Sequence, residues 1–142
     1  MRVLICSDEG RRIFDMAAAI KRMTEGSSAE IFVLHVLHPG EGGRTPENQQ
    51  RLAEERKGAA ETALEMAGLA GEVIVETRDP LVRVHQHVLR IAQRLDPDMI
   101  VVASKRAGGI LDLVLGGVAQ ELIRHSRIPV LVVRPDEERR RS

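Results

Sequence analysis

The sequence predicts a single α/β domain in which a five-stranded parallel sheet carries helices on both faces. Short apolar runs alternate with amphipathic stretches along the chain, the pattern of repeated strand–helix–strand units. Three of the runs lack polar alternation, as expected of strands that are buried on both faces: VLIC at 3–6, IVV at 100–102 and VLVV at 130–133. A chain of 142 residues fits one domain with one core.

The first elements follow directly from this alternation. Residues 2–6 (RVLIC) predict a buried strand, and helical spacing of apolar residues from Ile13 to Met23 predicts a helix that stops at Gly26. The next β-rich run is Ala29–Leu37. Thr45 and Pro46 then provide a cap and a first helical residue for a long helix that ends at Gly68.

The second half repeats the pattern. Residues 72–77 (EVIVET) predict the third strand, and Asp79-Pro80 predicts the start of a third helix that carries the apolar stripe of Val84, Val88, Ile91 and Leu95. The remaining elements are a strand at Met99–Ala103, a helix marked by Val118, Leu122 and Ile123, and a strand at Pro129–Arg134. The domain is expected at 1–135 and a polar tail at 136–142.

Composition excludes several functional classes. The chain has two aromatic residues, Phe14 and Phe32, so a base-stacking nucleic-acid surface is not expected. Formal net charge is zero, which gives no overall field toward nucleic acid or anionic lipid. No apolar run reaches membrane-spanning length and no signal-peptide pattern opens the chain. The single cysteine, Cys6, fits a small buried hydrophobic residue in a reducing compartment, so a cytoplasmic location is predicted.

A ligand site is expected at the carboxyl ends of the strands. In open parallel sheets, ligands bind where the strand order reverses, outside those ends. Three segments would meet there: Ser7–Gly10, the loop after the second strand, and Ser104–Leu115.

Two segments, VLICSDEG at 3–10 and VLHV at 33–36, cover the first two predicted strands, and Asp8 directly follows the apolar part of the first. They resemble the first and second strands of the universal stress protein family, whose first strand ends in an aspartate that matches Asp8. Arg78-Asp79-Pro80 resembles the family's turn before the third helix. DMIVV at 98–102 and the ending GGVAQELIRHSRIPVLVVRP resemble the last two strands and the helix between them, so the resemblance covers essentially the whole chain.

The resemblance implies a Rossmann-like fold of the adenine nucleotide alpha hydrolase type, with strand order 3-2-1-4-5. It also implies a homodimer in which the fifth strands, Val130–Val133, pair antiparallel. Such pairing would cover an apolar edge that is otherwise an aggregation hazard. Some members of the family bind ATP and others do not. The motif that separates them is a glycine, two residues, a glycine, nine residues, and then Gly-Ser or Gly-Thr.

This chain departs from that ATP-binding motif. When Gly116-Gly117 is taken as the last pair, Ala103 and Arg106 stand where the two earlier glycines belong, and Gly117 stands in place of the hydroxyl residue. If Arg106 adopted the positive φ of the glycine that it replaces, the backbone strain would be roughly 1–2 kcal/mol. Lys105 and Arg106 also add two positive charges, and each would stabilise a bound phosphate by about 1 kcal/mol. Gly116 still offers the amides of a helix start to an anion.

The candidate nucleotide or anion site therefore comprises seven residues: Asp8, Val36, Ala103, Lys105, Arg106, Gly116 and Gly117. Asp8 is interpreted either as a ribose or adenine ligand or as a helix cap. None of the five histidines forms an H-x-x-x-H pair and there is no second cysteine, so no metal site is predicted. Ser7 and Ser104 flank the pocket without a G-x-S-x-G elbow, and no catalytic residue is assigned.

Three functions remain open from the sequence. The first is a small dimeric stress-response regulator that binds rather than catalyses, with a degenerate nucleotide or anion pocket and an unidentified protein partner. The second is an ATP-binding member with slow hydrolysis or autophosphorylation. The third is an interaction module without a small ligand, which would use the long helix from Pro46 to Gly68 as a contact face.

Overall fold

The computed structural model describes residues 1–7, 10–25, 27–104 and 116–134. Five strands are present in these residues: β1 (Arg2–Ser7), β2 (Glu30–Leu37), β3 (Gly71–Thr77), β4 (Met99–Ala103) and β5 (Val130–Val133). They form one parallel sheet in the order β3-β2-β1-β4-β5. The predicted fold class and strand order are therefore confirmed, and the strand ends differ from the prediction by no more than one residue.

Within these ranges, four helices connect the strands: α1 (Gly10–Met23), α2 (Pro46–Met66), α3 (Val84–Leu95) and α4 (Gly117–His125). One core cluster joins α1 and α2 to one face of the sheet, and a second joins α3 and α4 to the other. No helix in the described part of the chain is long and apolar enough to cross a bilayer.

β1 lies in the middle of the sheet and is covered on both faces. Val3 and Ile5 belong to the core under α1 and α2, whereas Leu4 belongs to the core under α3 and α4, and all three are 0% exposed. Successive side chains of a strand point to opposite faces, so a strand packed on both sides needs an uninterrupted apolar run. This packing explains the absence of polar alternation in its sequence.

The ends of α2 are specified by the residues that the sequence indicated. Thr45 is the N-cap, and its hydroxyl oxygen accepts a hydrogen bond of 3.2 Å from the backbone N–H of Asn48. After the last turn, Gly68 adopts a left-handed conformation with φ of 77°. The N–H of Leu69 then donates to the carbonyl of Leu64 at 2.9 Å, which satisfies a carbonyl that the helix end leaves free.

The predicted start of α3 at Asp79-Pro80 is wrong. The Asp79 carboxylate accepts a hydrogen bond of 2.9 Å from the N–H of Leu81, and its carbonyl accepts one of 3.0 Å from the N–H of Val82. These bonds close a turn, so the aspartate caps no helix. The helix begins only at Val84, and the N–H of the preceding Arg83 donates a hydrogen bond of 2.9 Å to the Gln86 side chain.

The predicted last helix is present, but its buried face differs from the expected one. Val118 is 37% and Ile123 49% exposed, whereas Ala119 and Leu122 are buried against the sheet and α3. Ala119 and Leu122 are three residues apart and therefore share one helix face. The sequence pattern does not identify the small Ala119 as a core residue, so the predicted buried face of the helix is rotated relative to the observed one.

Candidate functional site

A pocket of about 240 Å³ opens at the carboxyl ends of β1, β2 and β4. Ser7, Val36 and Ala103, at or next to the last residues of these three strands, contribute to its wall. From β1 the chain crosses over to β2 on one side, whereas from β4 it crosses over to β5 on the other side. The strand order therefore reverses between the neighbouring strands β1 and β4. The pocket therefore occupies the switch point at which open parallel sheets bind ligands.

Apolar side chains form most of the pocket wall. Leu34 and Val102 contribute from the sheet, and Val84 and Val88 contribute from α3. Such a wall can bury a flat or apolar group. It does not suit a polar group, since a buried polar group needs a hydrogen-bond partner that these side chains do not offer.

The start of α4 supplies polar backbone to the same pocket. Gly116 is the N-cap, and the first intrahelical bond, of 3.1 Å, runs from the N–H of Gln120 to the Gly116 carbonyl. The N–H groups of Gly117, Val118 and Ala119 therefore have no acceptor within the helix. All three residues line the pocket, and such amides together with the helix dipole favour an anion.

Gly117 has open space where a side chain would lie. A β-carbon built on this residue meets no atom of the described chain within 4 Å, and its φ is not in the left-handed region. Neither packing nor backbone conformation requires glycine here. The missing hydroxyl is thus a chemical difference that the fold does not impose.

Two buried hydroxyl groups lie beside the pocket without a hydrogen-bond partner in the described residues. They are Ser7 Oγ, on the pocket wall, and Ser104 Oγ, directly after β4. A buried hydroxyl without a partner costs free energy, and such groups in native proteins mark sites where water or a ligand completes the bonding. Ser104 is 0% exposed, and its backbone N–H donates to the Val133 carbonyl at 2.9 Å.

Cys6 also lines the pocket, where its side chain packs against the core under α3 and α4. Burial raises the pKa of Cys6 to about 12, since the charged thiolate would lose its hydration. The thiolate is the reactive form of cysteine, so a redox or nucleophilic role at neutral pH is disfavoured. The interpretation of Cys6 as a small hydrophobic residue agrees with this environment.

Four of the seven predicted site residues meet in this pocket: Val36, Ala103, Gly116 and Gly117. The other three, Asp8, Lys105 and Arg106, lie outside the described residues. Sequence reasoning missed Arg12 and His38, which add polar groups to the pocket lining. Both stand within a few residues of a strand's carboxyl end, which is the signal that could have identified them.

The histidines take different environments. His87 contacts Glu76, with 2.8 Å between the ring nitrogen Nε2 and Oε1. His85 and His125, which are distant in sequence, stack with 5.6 Å between ring centroids and share Glu121 as a neighbour. The prediction of no metal site considered pairs of histidines along the sequence and could not detect this group, which two helices bring together.

The chain was compared with known proteins. No curated protein matches it. Among solved structures, a universal stress protein from Archaeoglobus fulgidus is 26% identical with a TM-score of 0.68, and 94% of this chain and 98% of that chain align. The hypothetical protein MJ0577 is 25% identical with a TM-score of 0.72 and 94% of each chain aligned.

A further structure, the Archaeoglobus fulgidus universal stress protein in complex with dAMP, is 23% identical, with a TM-score of 0.64 over 94% of this chain and 97% of that chain. The model of the Universal stress protein family matches residues 2–134, almost the whole chain. The chain therefore belongs to the universal stress protein family.

Proposed function

We propose that this protein is a dimeric stress-response regulator that acts by binding, and that its pocket is a nucleotide or anion site modified from the ATP-binding form of the family. The observation that carries the proposal is the placement of the α4 amides beside an apolar wall at the switch point. The wall suits a heterocyclic base, and the amides suit a phosphate or another anion.

Relatives make an adenine nucleotide the first ligand to test. One neighbour is a universal stress protein in complex with dAMP, and another is a universal stress protein in complex with cAMP. At 23% and 19% identity these likenesses show the fold alone. The argument for this chain therefore rests on its own pocket, and the relatives only guide the choice of probe.

Binding is favoured over catalysis by the environment of the nucleophiles. Ser7 Oγ has no hydrogen-bond partner among the described residues, so no base there is positioned to activate it. Ser104 is fully buried, and the pKa of the Cys6 thiol is raised to about 12. Autophosphorylation, part of the second candidate function, therefore lacks an activated serine or cysteine nucleophile among the described pocket residues.

Weak rather than tight ATP binding is favoured by Gly117. Its position at the start of α4 is the one at which the ATP-binding motif carries a hydroxyl, and no atom of the described residues fills the space. A hydrogen bond to a charged group contributes roughly 1.5–3 kcal/mol, so its loss weakens phosphate binding by about tenfold or more.

Thermal unfolding with a panel of ligands tests the proposal. ATP with Mg²⁺, ADP, AMP, cyclic AMP and inorganic phosphate would each be added at millimolar concentration. We expect little stabilisation by Mg-ATP and a larger one by at least one smaller ligand. Stabilisation by Mg-ATP of about 2–3 kcal/mol, as near 100-fold saturation, would instead favour the ATP-binding alternative.

Equal stability with every ligand would favour the third function, an interaction module without a small ligand. Mass spectrometry of small molecules copurified under native conditions provides an independent readout. Copurified ATP would likewise support the second function, whereas another copurified nucleotide or anion would support the modified pocket.

The homodimer through Val130–Val133 is part of the same proposal. β5 is the edge strand of the sheet and all four of its residues are partly exposed. Phe14 and Met23 of α1 border the same surface, and Met23 is 57% exposed. An apolar edge of this kind is stabilised when a second copy covers it. The cytoplasmic location remains a prediction from cysteine usage.

A further inference from the structure

Three metal-ligand side chains converge between α3 and α4, on a surface separate from the pocket lining. His85 lies in the first turn of α3, and Glu121 and His125 lie one turn apart on α4. Glu121 Oε2 is 3.2 Å from His125 Nε2 and 4.0 Å from His85 Nε2. One ligand atom from each of the three residues lies within 4.8 Å of the others.

The geometry is set by helix packing. Residues four apart on a helix share one face, so Glu121 and His125 both point toward α3. The imidazole rings of His85 and His125 are stacked with an interplanar angle of 15°. His85 is 8% exposed, which fixes the inner side of the group, whereas the His125 side chain is 51% exposed and leaves the outer side open to solvent.

We propose that His85, Glu121 and His125 form a binding site for one divalent transition-metal ion of the zinc type. Two imidazole nitrogens and one carboxylate are a donor set used for zinc and for other first-row ions with open positions, whereas Ca²⁺ and Mg²⁺ prefer oxygen ligands. In a tetrahedral site with bonds of about 2.0 Å, ligand atoms lie about 3.3 Å apart. Glu121 Oε2 and His125 Nε2, 3.2 Å apart, already match that separation, whereas His85 Nε2, 4.0 Å from Oε2, would have to move closer.

An ion pair alone accounts less well for this arrangement. Arg124 lies 3.9 Å from Glu121 Oε1 and already provides a cation for the carboxylate. An ion pair needs only one of the two ring nitrogens that lie near Oε2, whereas a metal ion uses both of them together with the carboxylate.

The ion would join α3 to α4 next to the pocket. Val84 precedes His85 and lines the pocket, and Ala119 of α4 lines it from the other side. Three protein ligands leave a coordination position for water or for a group from another molecule. The site differs from the nucleotide or anion pocket in residues and in ligand, so either of the two proposals can fail without the other.

Metal titration of the tag-free full-length protein tests the site. Co²⁺ would be added while visible absorption is recorded, and Zn²⁺ would then displace it, with calorimetry giving stoichiometry and affinity. We expect one ion per chain, a cobalt spectrum typical of nitrogen and oxygen ligation, and a rise in Tm with Zn²⁺. Absence of binding at about 100 µM Zn²⁺, far above the dissociation constants of built zinc sites, would overturn the proposal.

Matched variants assign the ion to these residues. His125→Gln and Glu121→Gln should each weaken binding at least about tenfold and abolish the Zn²⁺-induced rise in Tm. His87→Gln, which makes the same change two residues from His85 but outside the group, should bind as the parent does. Unchanged affinity in both His125→Gln and Glu121→Gln, or an equal loss in His87→Gln, would contradict the site. Because the His125 and Glu121 side chains are partly exposed, both variants are expected to fold, and metal-free Tm values check this.

Discussion

Cys6 lies where β1 leaves the core and begins to line the pocket. It packs with the core under α3 and α4, yet the residue after it, Ser7, has a buried hydroxyl without a partner in the described chain. Within two residues the strand changes from apolar packing to unsatisfied polar groups. Sequence alone predicted the apolar part from VLIC, but it could not show that the Ser7 hydroxyl is buried, since that depends on strands and helices distant in sequence.

The raised pKa of Cys6 predicts a specific pH dependence of stability. The unfolded thiol ionises near its ordinary pKa of 9.0 and the folded thiol at about 12, so the unfolded state alone gains from deprotonation between these values. The contribution of Cys6 to the free energy of unfolding is therefore complete below pH 9 and falls as the pH rises toward 12. Urea unfolding of the parent and of Cys6→Ala from neutral to high pH measures the difference.

We expect the parent to lose stability faster than Cys6→Ala above pH 9, with parallel curves below it. Parallel curves over the whole range would show that the thiol ionises in the folded protein as readily as in the unfolded chain. Other groups that titrate at high pH are present in both proteins and cancel in the comparison.

Local side-chain chemistry specifies some elements and leaves others to packing. Thr45 and Gly68 mark the two ends of α2 as predicted, because a cap hydroxyl and a left-handed glycine act within a few residues. Asp79-Pro80 carries a similar signature but forms a turn, since its carboxylate bonds the N–H of Leu81 instead of a helix amide. Which amide an aspartate reaches depends on the path of the chain, and short motifs do not determine that path.

Removal of the Thr45 hydroxyl should destabilise the protein by about 1 kcal/mol, the typical contribution of an N-cap. The Asn48 N–H, which now donates to Thr45 Oγ1 at 3.2 Å, would lose this protein acceptor. Chemical denaturation of Thr45→Ala measures the loss, and Thr45→Ser, which keeps the hydroxyl, is the control. If the two variants are equally stable, the cap bond does not contribute to stability in solution.

At the scale of the whole molecule, the order of strands determines where function can lie. The apolar runs and the family resemblance predicted the sheet, and the sheet brings Val36, Ala103, Gly116 and Gly117 together although they are far apart in sequence. The group of His85, Glu121 and His125 could not be predicted in this way, since it depends on the rotation of α4 against α3. That rotation follows from the burial of Ala119 together with Leu122, and the sequence indicated Leu122 but not Ala119.

The predicted dimer also belongs to the scale of the whole molecule, and the backbone N–H groups of β5 provide a way to test it. The carbonyls of Pro129 and Val133 accept from Ile100 and Ser104 of the β4 side. By strand alternation, the N–H of Val132 points away from β4, toward the open edge. Val132→Pro should therefore keep the fold but abolish antiparallel pairing with a second copy, because proline has no N–H to donate.

Light scattering after size-exclusion chromatography measures the expected change from dimer to monomer. Val132→Ile, which keeps the N–H, should remain dimeric. A folded Val132→Pro protein that is still a dimer would place the interface elsewhere.

The most direct test of the modified-pocket account is the affinity of Gly117→Ser for Mg-ATP, measured by calorimetry beside the parent. The serine enters open space at the start of α4, where its hydroxyl can meet a phosphate, and Gly58→Ser is the control because Gly58 is equally unobstructed but lies in α2. The account predicts weak binding by the parent and by Gly58→Ser, and about tenfold tighter binding by Gly117→Ser. Tight binding by the parent that Gly117→Ser leaves unchanged would contradict it.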